Sequence, residues 1–471
     1  MKTPTPKNSA QSAPPRKNIA VIGSGISGLS CAWLLSNSQN VTLFEKDDRL
    51  GGHSNTVTFD SDKRAISVDT GFIVYNPVNY PNLVKFFEQL GVTTCDTDMS
   101  FSVSVNGGEL EYSGSGLSGL LAQKRNLLRP AFWGMVTDLL RFYRESPKLL
   151  QSANLEHFSL GELLEKHRYG KSFINNHLLP MGAAIWSVPV DKMLNYPALS
   201  FLRFCSNHGL TQVNNRPQWR TVVGGSRQYV DKIAATLQGS IRLNTRIQSV
   251  TRLGEQVALD DIHGNREIFD DVVFACHSDQ ALALLADPTT EEQALLSCFP
   301  YQRNRAFLHL DTELMPKRQK VWSSWNYLTS NKSASKNEQL VSGQKRKVSV
   351  SYWMNQLQPL ATEQPVMVSL NPLKMPRSGT IIRSFFYDHP AFDQSSLTAQ
   401  KQLWSLQGKQ HTWFCGAYFG YGFHEDGLQS GLAVAEALGG VVRPWQLEEP
   451  NSRIEIHTGS LPDSAVELYC V

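Results

Sequence analysis

Apolar runs separated by glycine-rich turns organise the first part of the chain. Residues 18–23 (NIAVIG) form an almost continuous apolar run, which is typical of a short strand buried on both faces. A tight turn, a helix and a second buried strand are then predicted, with the sequences GSGISG, LSCAWLLSNS and VTLFEK. Together they predict a βαβ unit.

Two long segments interrupt this pattern before it resumes. Residues 76–215 are richer in helical patterns, with aromatic and basic positions interleaved, and a second excursion covers residues 279–408. Between and after them the chain predicts a helix, two strands, a third strand and a last helix, with the sequences TVVGGSRQYVDKIAATL, IRLNTRIQSV, DVVFACHS, HTWFCGAY and GLQSGLAVAEAL. We therefore expect two interleaved domains: one of residues 18–75, 216–278 and 409–447, and one of residues 76–215 and 279–408.

Three segments are too polar to contribute to a core. Residues 1–17 are rich in proline, and we expect a disordered tail. Residues 329–347 are rich in serine, lysine and asparagine, which predicts a flexible loop. Residues 448–471 are expected to form a second polar tail.

Composition excludes several classes of protein. The 471 residues are 41% hydrophobic and carry a net charge of +3, which is too small and too dispersed for nucleic-acid binding. The seven cysteines are scattered without CxxC pairs, so we expect a reducing compartment and no metal site. Neither a signal peptide nor an apolar stretch of about 18 residues is visible, which predicts a cytoplasmic protein without a spanning helix.

The first glycine-rich turn has the chemistry of a dinucleotide site. Gly23, Gly25 and Gly28 have the GxGxxG spacing between a buried strand and a helix. Gly23 permits the tight turn, Gly25 lets the backbone approach a pyrophosphate, and Gly28 lets the helix pack closely. The N-terminus of the helix then faces the anion. Glu45 closes the second strand, where its carboxylate can accept hydrogen bonds from both ribose hydroxyls. This is the pattern of a Rossmann-type domain with a parallel sheet.

A second copy of the spacing serves as a control. SGSGLSG carries glycines at positions 114, 116 and 119. The preceding GGELEY is not a buried apolar strand, and no strand ending in a carboxylate follows at the right distance. This copy predicts a loop that enters a helix.

Further segments favour FAD over a nicotinamide cofactor. In RLGGH, residues 49–53, paired glycines let a second stretch of backbone approach the cofactor. VDTGF, residues 68–72, is expected to follow as a strand, and the last helix can direct its N-terminus at the flavin ring. Since the one credible dinucleotide site is assigned to FAD, we expect oxygen, a quinone or a protein partner as electron acceptor.

The motifs VIGSGISGLS, RLGGH, VDTGF and GFHEDGLQSG resemble those of the flavin amine oxidase and phytoene desaturase superfamily, over nearly all of residues 18–440. Within it, NRAFLHLD, WSSWNYL, YWMNQLQPL and FCGAYFGYGFHEDG resemble a bacterial family usually labelled only as predicted NAD/FAD-binding protein. The resemblance implies an α/β fold with a Rossmann-type FAD-binding domain, an α+β substrate domain and one non-covalently bound FAD. The cofactor-binding residues implied by motifs and resemblance are Gly23, Gly25, Ile26, Gly28, Glu45, Lys46, Gly51, Gly52, His53, Gly71, Phe72, Ile247, Gly416, Asp426 and Leu428.

Two positions depart from the superfamily pattern. Tyr418 stands where many relatives have an acidic residue, two positions after Gly416. Amine oxidases place a flavin-facing lysine where this chain has Asn304 or Arg305. The missing lysine argues against simple amine oxidation.

His424 is the candidate catalytic residue, since the resemblance places it where amine oxidases have an aromatic residue facing the flavin. A histidine there can act as general base or orient substrate, and it can equally be a plain hydrogen-bonded contact of the cofactor. His309, Trp325 and Asn326 are candidates for the substrate cavity, although such residues are often core. Cys415 is expected to be an inert buried thiol.

Four functions fit such a site. The first is a dehydrogenase or desaturase that takes a hydride from a hydrophobic small molecule of acyl or isoprenoid type. The second is an amine oxidase that releases hydrogen peroxide. The third is a flavin-dependent isomerase without net redox change, and the fourth is a non-catalytic flavin-binding partner of another enzyme. We expect the first.

Residues 117–150 combine apolar positions near helical spacing with a set of basic ones, and Pro130 is expected to divide two helices. The pattern fits an ordinary amphipathic helix packed on the substrate domain. It also fits peripheral contact with anionic lipid. We predict this contact because related desaturases draw apolar substrates from membranes.

Overall fold

The computed structural model describes residues 15–456, apart from residues 62, 115, 153–154, 187–189, 213–215, 238 and 331–346. Most of the predicted N-terminal tail, nearly all of the predicted loop at 329–347 and residues 457–471 of the second predicted tail lie outside the described residues. The inner ends of both tails are folded, which corrects the predicted boundaries. Lys17 pairs with Asp271 through a 2.8 Å contact, and Ile454 is buried.

The strands are numbered in chain order. They are β1 Asn18–Ile22, β2 Asn40–Phe44, β3 Thr56–Ser61, β4 Arg64–Asp69, β5 Val74–Tyr75, β6 Thr94–Thr97, β7 Phe101–Val105, β8 Leu110–Ser113, β9 Trp219–Val222, β10 Ser240–Arg242, β11 Ile247–Arg252, β12 Val257–Asp261, β13 Arg266–Phe269, β14 Asp271–Phe274, β15 Tyr301–His309, β16 Trp325–Ser330, β17 Lys347–Trp353, β18 Met367–Leu370, β19 Ile381–Pro390 and β20 Thr412–Phe414.

The α-helices are numbered in the same way. They are α1 Ile26–Leu35, α2 Pro81–Leu90, α3 Gly116–Leu120, α4 Pro130–Leu149, α5 Leu160–Lys166, α6 Lys171–Phe173, α7 Leu179–Trp186, α8 Val190–Met193, α9 Ala198–Asn207, α10 Arg227–Thr236, α11 Ser278–Leu284, α12 Thr290–Leu296, α13 Met354–Leu357, α14 Gln394–Gln400 and α15 His424–Gly439. In the described part of the chain, no helix has both the length and the apolar character needed to cross a bilayer.

A five-stranded parallel sheet in the order β10-β2-β1-β14-β20 carries the first glycine-rich turn. The apolar strand β1 lies at its centre, where Val21 pairs with Leu43 on one side and Val273 on the other. Helix α1 packs against α15 beside this sheet. The predicted α/β fold with a parallel sheet is confirmed.

Two predicted elements of this region are wrong in detail. IRLNTRIQSV is not one strand, because Asn244 has a left-handed backbone (φ +51°) that separates β10 from β11. β11 belongs to a second, antiparallel sheet with β12 and β13. TVVGGSRQYVDKIAATL is not one helix, because its first residues complete β9 and a turn precedes α10.

A seven-stranded sheet in the order β19-β15-β18-β17-β16-β7-β8 combines strands from both predicted excursions. All its strands lie within residues 76–215 and 279–408, whereas the parallel sheet draws only on residues 18–75, 216–278 and 409–447. On this distribution of strands we propose the division into a cofactor domain and a substrate domain.

The second glycine-rich copy follows β8, which is a buried strand although its sequence is partly polar. Burial is possible because the Glu111 carboxylate pairs with Arg318 at 2.6 Å. β8 is an antiparallel edge strand next to β7, so the copy does not sit in a parallel strand–turn–helix unit.

Candidate cofactor and active site

The turn between β1 and α1 brings the backbone close to the sheet. Gly23 has φ +105°, and a Cβ atom there would lie 2.8 Å from the Ala275 carbonyl oxygen. At Gly28 a Cβ atom would lie 1.9 Å from the Gly23 carbonyl oxygen, so only glycine lets α1 approach the turn. Gly25 precedes Ile26, the first residue of α1, and supplies no side-chain cap to the helix. The free N–H groups of the helix start are therefore available to an anion.

Glu45 follows β2 beside this turn. Its Oε2 accepts hydrogen bonds from the Ser24 backbone N–H at 3.0 Å and the Ser24 hydroxyl at 2.5 Å. Its Oε1 accepts one from the Asp47 N–H at 3.0 Å, which leaves capacity for a ribose hydroxyl. The next residue, Lys46, is exposed.

The RLGGH segment contacts the first turn directly. The Gly51 N–H donates to the Ser24 carbonyl at 2.9 Å. A Cβ atom on Gly52 would lie 3.2 Å from the Gly25 Cα. The structure therefore brings the two glycine segments, which are separate in sequence, to one place.

The predicted strand VDTGF ends early, because β4 stops at Asp69 and the next two residues form a bend. The Asp69 carboxylate accepts hydrogen bonds from the Ser226 N–H and hydroxyl, which holds the chain there. At Gly71 a Cβ atom would lie 2.2 Å from the His53 carbonyl oxygen, to which the Phe72 N–H donates at 2.8 Å. Gly71 and Phe72 thus lie directly on the RLGGH segment.

His424 joins this group from the far end of the chain. Its ring stacks on Phe72, with centroids 3.8 Å apart and planes 7° apart. Its Nε2 lies 2.6 Å from the Tyr229 hydroxyl and 3.2 Å from the Ser54 hydroxyl. Burial lowers the pKa of His424 to about 3, so the ring is neutral at physiological pH. A neutral Nε2 can accept the Tyr229 proton.

Gly416 follows β20 and hydrogen-bonds to the Ser430 hydroxyl through its N–H at 3.0 Å. The Tyr418 ring folds back over it, since a Cβ atom on Gly416 would lie 2.4 Å from the Tyr418 Cε1. The Tyr418 hydroxyl is buried and lacks a hydrogen-bond partner among the described residues.

The Asp426 carboxylate has partners within the protein. It forms an ion pair with Arg453 at 3.0 Å and accepts the Phe423 N–H at 2.7 Å. The carboxylate is therefore engaged, and we propose that Asp426 contacts FAD through its backbone. Leu428 is fully buried in α15.

The remaining candidates lie elsewhere in the sheets. Ile247 begins β11 and is buried. His309 is buried on β15, where its Nε2 pairs with the Ser369 hydroxyl at 2.8 Å. Trp325 and Asn326 begin β16, and the Asn326 amide is bonded to neighbouring serine residues. The structure thus gives His309 and Asn326 partners inside the seven-stranded sheet, and their role in a substrate cavity stays a prediction.

Side chains alternate between the two faces of β15, so Asn304 and Arg305, the two residues at the position of the amine-oxidase lysine, point to opposite sides. Asn304 is fully buried, and its Nδ2 donates to the His389 Nδ1 at 2.8 Å. Arg305 points to the opposite side, where its guanidinium lies over the rings of Phe307 and Phe386. Asn304 is therefore the inward-facing residue.

Three ring side chains near these segments were not predicted: Tyr229, His277 and His389. His53 lies against the His389 ring at 5.3 Å, and burial together with His389 lowers the pKa of His53. His277 comes just after β14, and a polar residue beyond the carboxyl end of a parallel strand is a signal for a ligand contact. No local motif marks Tyr229 or His389.

The geometry fits FAD. A Cβ atom on Gly25 would meet no protein atom within 4 Å, so open space lies at the uncapped start of α1. Glu45 keeps acceptor capacity for a ribose. A pyrophosphate needs the first feature and an adenosine the second.

Comparison with known proteins supports this assignment. The family profile of flavin containing amine oxidoreductase matches residues 26–439. Flavin-containing amine oxidase A of Bos taurus is 25% identical over 275 residues, which are 54% of this chain and 48% of that protein. The chain thus spans about half the length of the mammalian relatives it matches.

Solved structures share the fold at low identity. Wild-type putrescine oxidase bound to putrescine has a TM-score of 0.62 at 13% identity, covering 90% of this chain and 99% of that one. A fatty acid isomerase from P. acnes that produces CLA has a TM-score of 0.61 at 13% identity, covering 90% and 98%. Since the family profile covers most of the chain, the protein belongs to the flavin-containing amine oxidoreductases, a family of FAD-dependent oxidoreductases, and FAD is its cofactor.

Proposed function

We propose that the protein takes a hydride from an uncharged, apolar substrate of acyl or isoprenoid type, as a desaturase or dehydrogenase does. When bound, FAD supplies the hydride-accepting chemistry. The chain then has to bind the substrate beside the flavin and exclude water. The observation that supports the proposal is a cluster of uncharged aromatic side chains next to the start of α15.

The rings of Trp186, Phe204, His208 and Phe423 pack against one another, the first three of them buried, and we call them the Phe423 cluster. The Phe204 ring stacks on Phe423 at 4.8 Å and on His208 at 3.8 Å. Trp186 lies 4.7 Å from Phe204 and 6.3 Å from Phe423. Burial lowers the pKa of His208 to about 3, so this ring is uncharged as well. Because Phe423 is adjacent to His424, the cluster continues from the predicted flavin segments into α7 and α9.

The carboxylates beside this cluster are engaged. Glu425 accepts hydrogen bonds from the Asn82 and Leu83 N–H groups, each at 3.0 Å, and from the Gln429 amide. Asp426 pairs with Arg453. An ammonium group would need a carboxylate or an equivalent acceptor to replace its water. The engaged carboxylates therefore favour an uncharged substrate over a diamine.

Oxidation of amines is the second candidate. It is favoured by the family and by the mammalian relatives, which are named as amine oxidases. A neutral monoamine with an apolar body would fit the Phe423 cluster too. Hydrogen peroxide formed steadily from monoamines would select this candidate.

The test is anaerobic mixing of the purified holoprotein with fatty acyl esters, polyenes and amines, with flavin bleaching as the readout. Bleaching by the uncharged apolar compounds supports the proposal. Bleaching by amines alone would select the second candidate. Turnover of a pre-reduced protein without an acceptor would indicate an isomerase, and a flavin that no compound bleaches would indicate a non-catalytic partner.

The flavin is expected to be non-covalently bound. Cys415 is fully buried beside Cys31, and burial raises the pKa of its thiol, which opposes attack on a flavin. Acid precipitation should therefore release the flavin into the supernatant. Flavin that stays with the pellet would refute this expectation.

For the electron acceptor we propose oxygen, a quinone or a protein partner. The two GxGxxG segments are the turn at Gly23 and the copy after β8, and only the first follows a strand of the parallel sheet. NADH or NADPH should therefore not reduce the flavin in a stopped-flow experiment. Rapid reduction by either would contradict the proposal.

We propose peripheral contact with anionic lipid through the surface around α4. Large apolar side chains are exposed there, with Leu128 at 87%, Leu117 at 77% and Leu140 at 54%. Lys124 and Arg125 are exposed in the 3-10 turn before α4. Apolar side chains flanked by cations are the combination that binds an anionic membrane surface.

A further inference from the structure

A series of hydrogen-bonded amide groups runs from Asn371, just after β18, through β15 to a histidine ring on β19. The Arg305 backbone N–H donates to the Asn371 Oδ1 at 2.9 Å, and the Asn371 Nδ2 donates to the Asn304 Oδ1 at 2.7 Å. The Asn304 Nδ2 donates to the Gln302 carbonyl oxygen at 3.1 Å and to the His389 Nδ1 at 2.8 Å.

The orientation of each side-chain amide in this hydrogen-bonded series is fixed by a backbone group that can only donate or only accept a hydrogen bond. A backbone N–H only donates, so it must face the Asn371 oxygen. A carbonyl oxygen only accepts, so it must face the Asn304 amide nitrogen. The same nitrogen reaches His389, whose Nδ1 must therefore be an unprotonated acceptor. In the neutral ring the proton then lies on Nε2.

The ring of His389 stands beside the backbone predicted to hold the cofactor. Its centroid lies 5.3 Å from that of His53, at 69° between the planes. His53 directly follows the two glycines that contact Gly25 and the Ser24 carbonyl. In the described part of the chain, the His389 Nε2 has no hydrogen-bond partner.

We propose that His389 presents a fixed, neutral Nε2–H donor to an acceptor atom of the bound flavin, and that Asn304 is the positioning residue that sets this tautomer. Burial and, to a smaller extent, the neighbouring His277 lower the pKa of His389 to about 4, and Asp388 opposes both effects. The inference rests on the proposed cofactor site and adds a residue to it.

Nitrogen-15 NMR of the histidine-labelled holoprotein tests the tautomer, with the His389 signals assigned by their loss in His389→Gln. At neutral pH we expect a protonated Nε2 and a bare Nδ1. Asn304→Asp places a carboxylate opposite Nδ1, so the proton should move to Nδ1 or the ring should become cationic. A wild-type ring protonated at Nδ1, or a ring unchanged by Asn304→Asp, would overturn the proposal.

Measurements of FAD binding test whether the atom that accepts the His389 hydrogen bond belongs to the flavin. His389→Phe should weaken FAD binding to the apoprotein about tenfold, the effect of one lost hydrogen bond, and shift the visible flavin spectrum. His389→Gln retains an amide donor and should bind FAD more tightly than His389→Phe. The matched control is Arg303→Gln, on the exposed side of the neighbouring strand β15, which should change neither the FAD affinity nor the flavin spectrum.

Equal FAD affinity and spectrum in wild type, His389→Phe and His389→Gln would show that the donor does not serve the flavin. These measurements use no substrate. A failed search for an apolar substrate would therefore leave the result for His389 intact, and the reverse also holds.

Discussion

The Nε2 atom of His424 lies 2.6 Å from the hydroxyl oxygen of Tyr229, at the point where α15 begins. The same ring stacks on Phe72, which directly follows the bend after β4. His424 thus links α15, α10 and the VDTGF segment. A residue held on three sides is well suited to orient substrate or flavin, and its low pKa keeps it neutral.

If His424 acts in catalysis, His424→Phe should keep the stack on Phe72 and lose the ring nitrogen. The rate of flavin reduction by substrate should then fall about 100-fold, the typical loss of one acid–base group, while FAD stays bound. Tyr229→Phe is the matched variant, because it leaves the ring nitrogen and removes only its partner. An unchanged reduction rate in His424→Phe would limit His424 to a structural contact.

Gly25→Val should abolish FAD binding without unfolding the apoprotein. A side chain at this position meets no protein atom within 4 Å, so it would fill only the space of the cofactor. Flavin content after purification and the melting temperature of the apoprotein are the two measurements. Gly379→Val is the control, since its Cβ atom also meets open space but lies outside the glycine turns.

Gly28→Val should behave differently from Gly25→Val. Its Cβ atom would lie 1.9 Å from the Gly23 carbonyl oxygen, so the apoprotein itself should be destabilised. Equal melting temperatures for the two variant apoproteins would contradict this explanation of the turn.

The local motifs were predictable because each acts over a few residues. The glycine turn, Glu45 and the paired glycines are set by spacing alone, and the structure places Gly52 against Gly25. The partnerships of Tyr229 with His424 and of Asn304 with His389 were not predictable. They join residues 195 and 85 positions apart, the first through the packing of α10 and α15 and the second through the pairing of β15 and β19, and no local pattern specifies either.

Arg453 shows a different limit of prediction. It lies in a polar segment that resembles a free tail, yet its guanidinium pairs with the buried Asp426 and is 10% exposed. The need of a buried carboxylate for a cation becomes visible only once α15 is packed.

The surface around α4 should bind anionic vesicles at low salt. Leu128→Asp and Arg125→Glu should each reduce co-sedimentation with phosphatidylglycerol vesicles several-fold, since one near-surface cation contributes about 1 kcal/mol. Val442→Asp is the matched control, because Val442 is 78% exposed and lies beyond α15. Equal, negligible binding by all variants and wild type would remove the membrane proposal.

His208 should make the protein less stable in acid. Its pKa in the folded protein is about 3, because burial disfavours the charged ring and Arg453 adds to the effect. In the unfolded chain the pKa is about 6.5, so the unfolded state binds an extra proton between these values. The unfolding free energy should therefore fall as the pH decreases below about 6.5.

His208→Phe retains a ring for stacking on Phe204 and cannot take up a proton. Its unfolding free energy should depend less steeply on pH, by about 1.4 kcal/mol per pH unit well below pH 6. Denaturant titrations at several pH values between about 4 and 7 measure the slope. Parallel curves for variant and wild type would contradict the assigned protonation state.

A matched pair of compounds tests whether the substrate is apolar and uncharged. An unsaturated acyl methyl ester and the alkylamine of equal chain length share their apolar body and differ in charge. Each is mixed anaerobically with the holoprotein, and the loss of visible flavin absorbance is followed. We expect the ester to bleach the flavin and the amine to leave it oxidised. Bleaching by the amine alone, with hydrogen peroxide formed on admission of oxygen, would contradict the proposal.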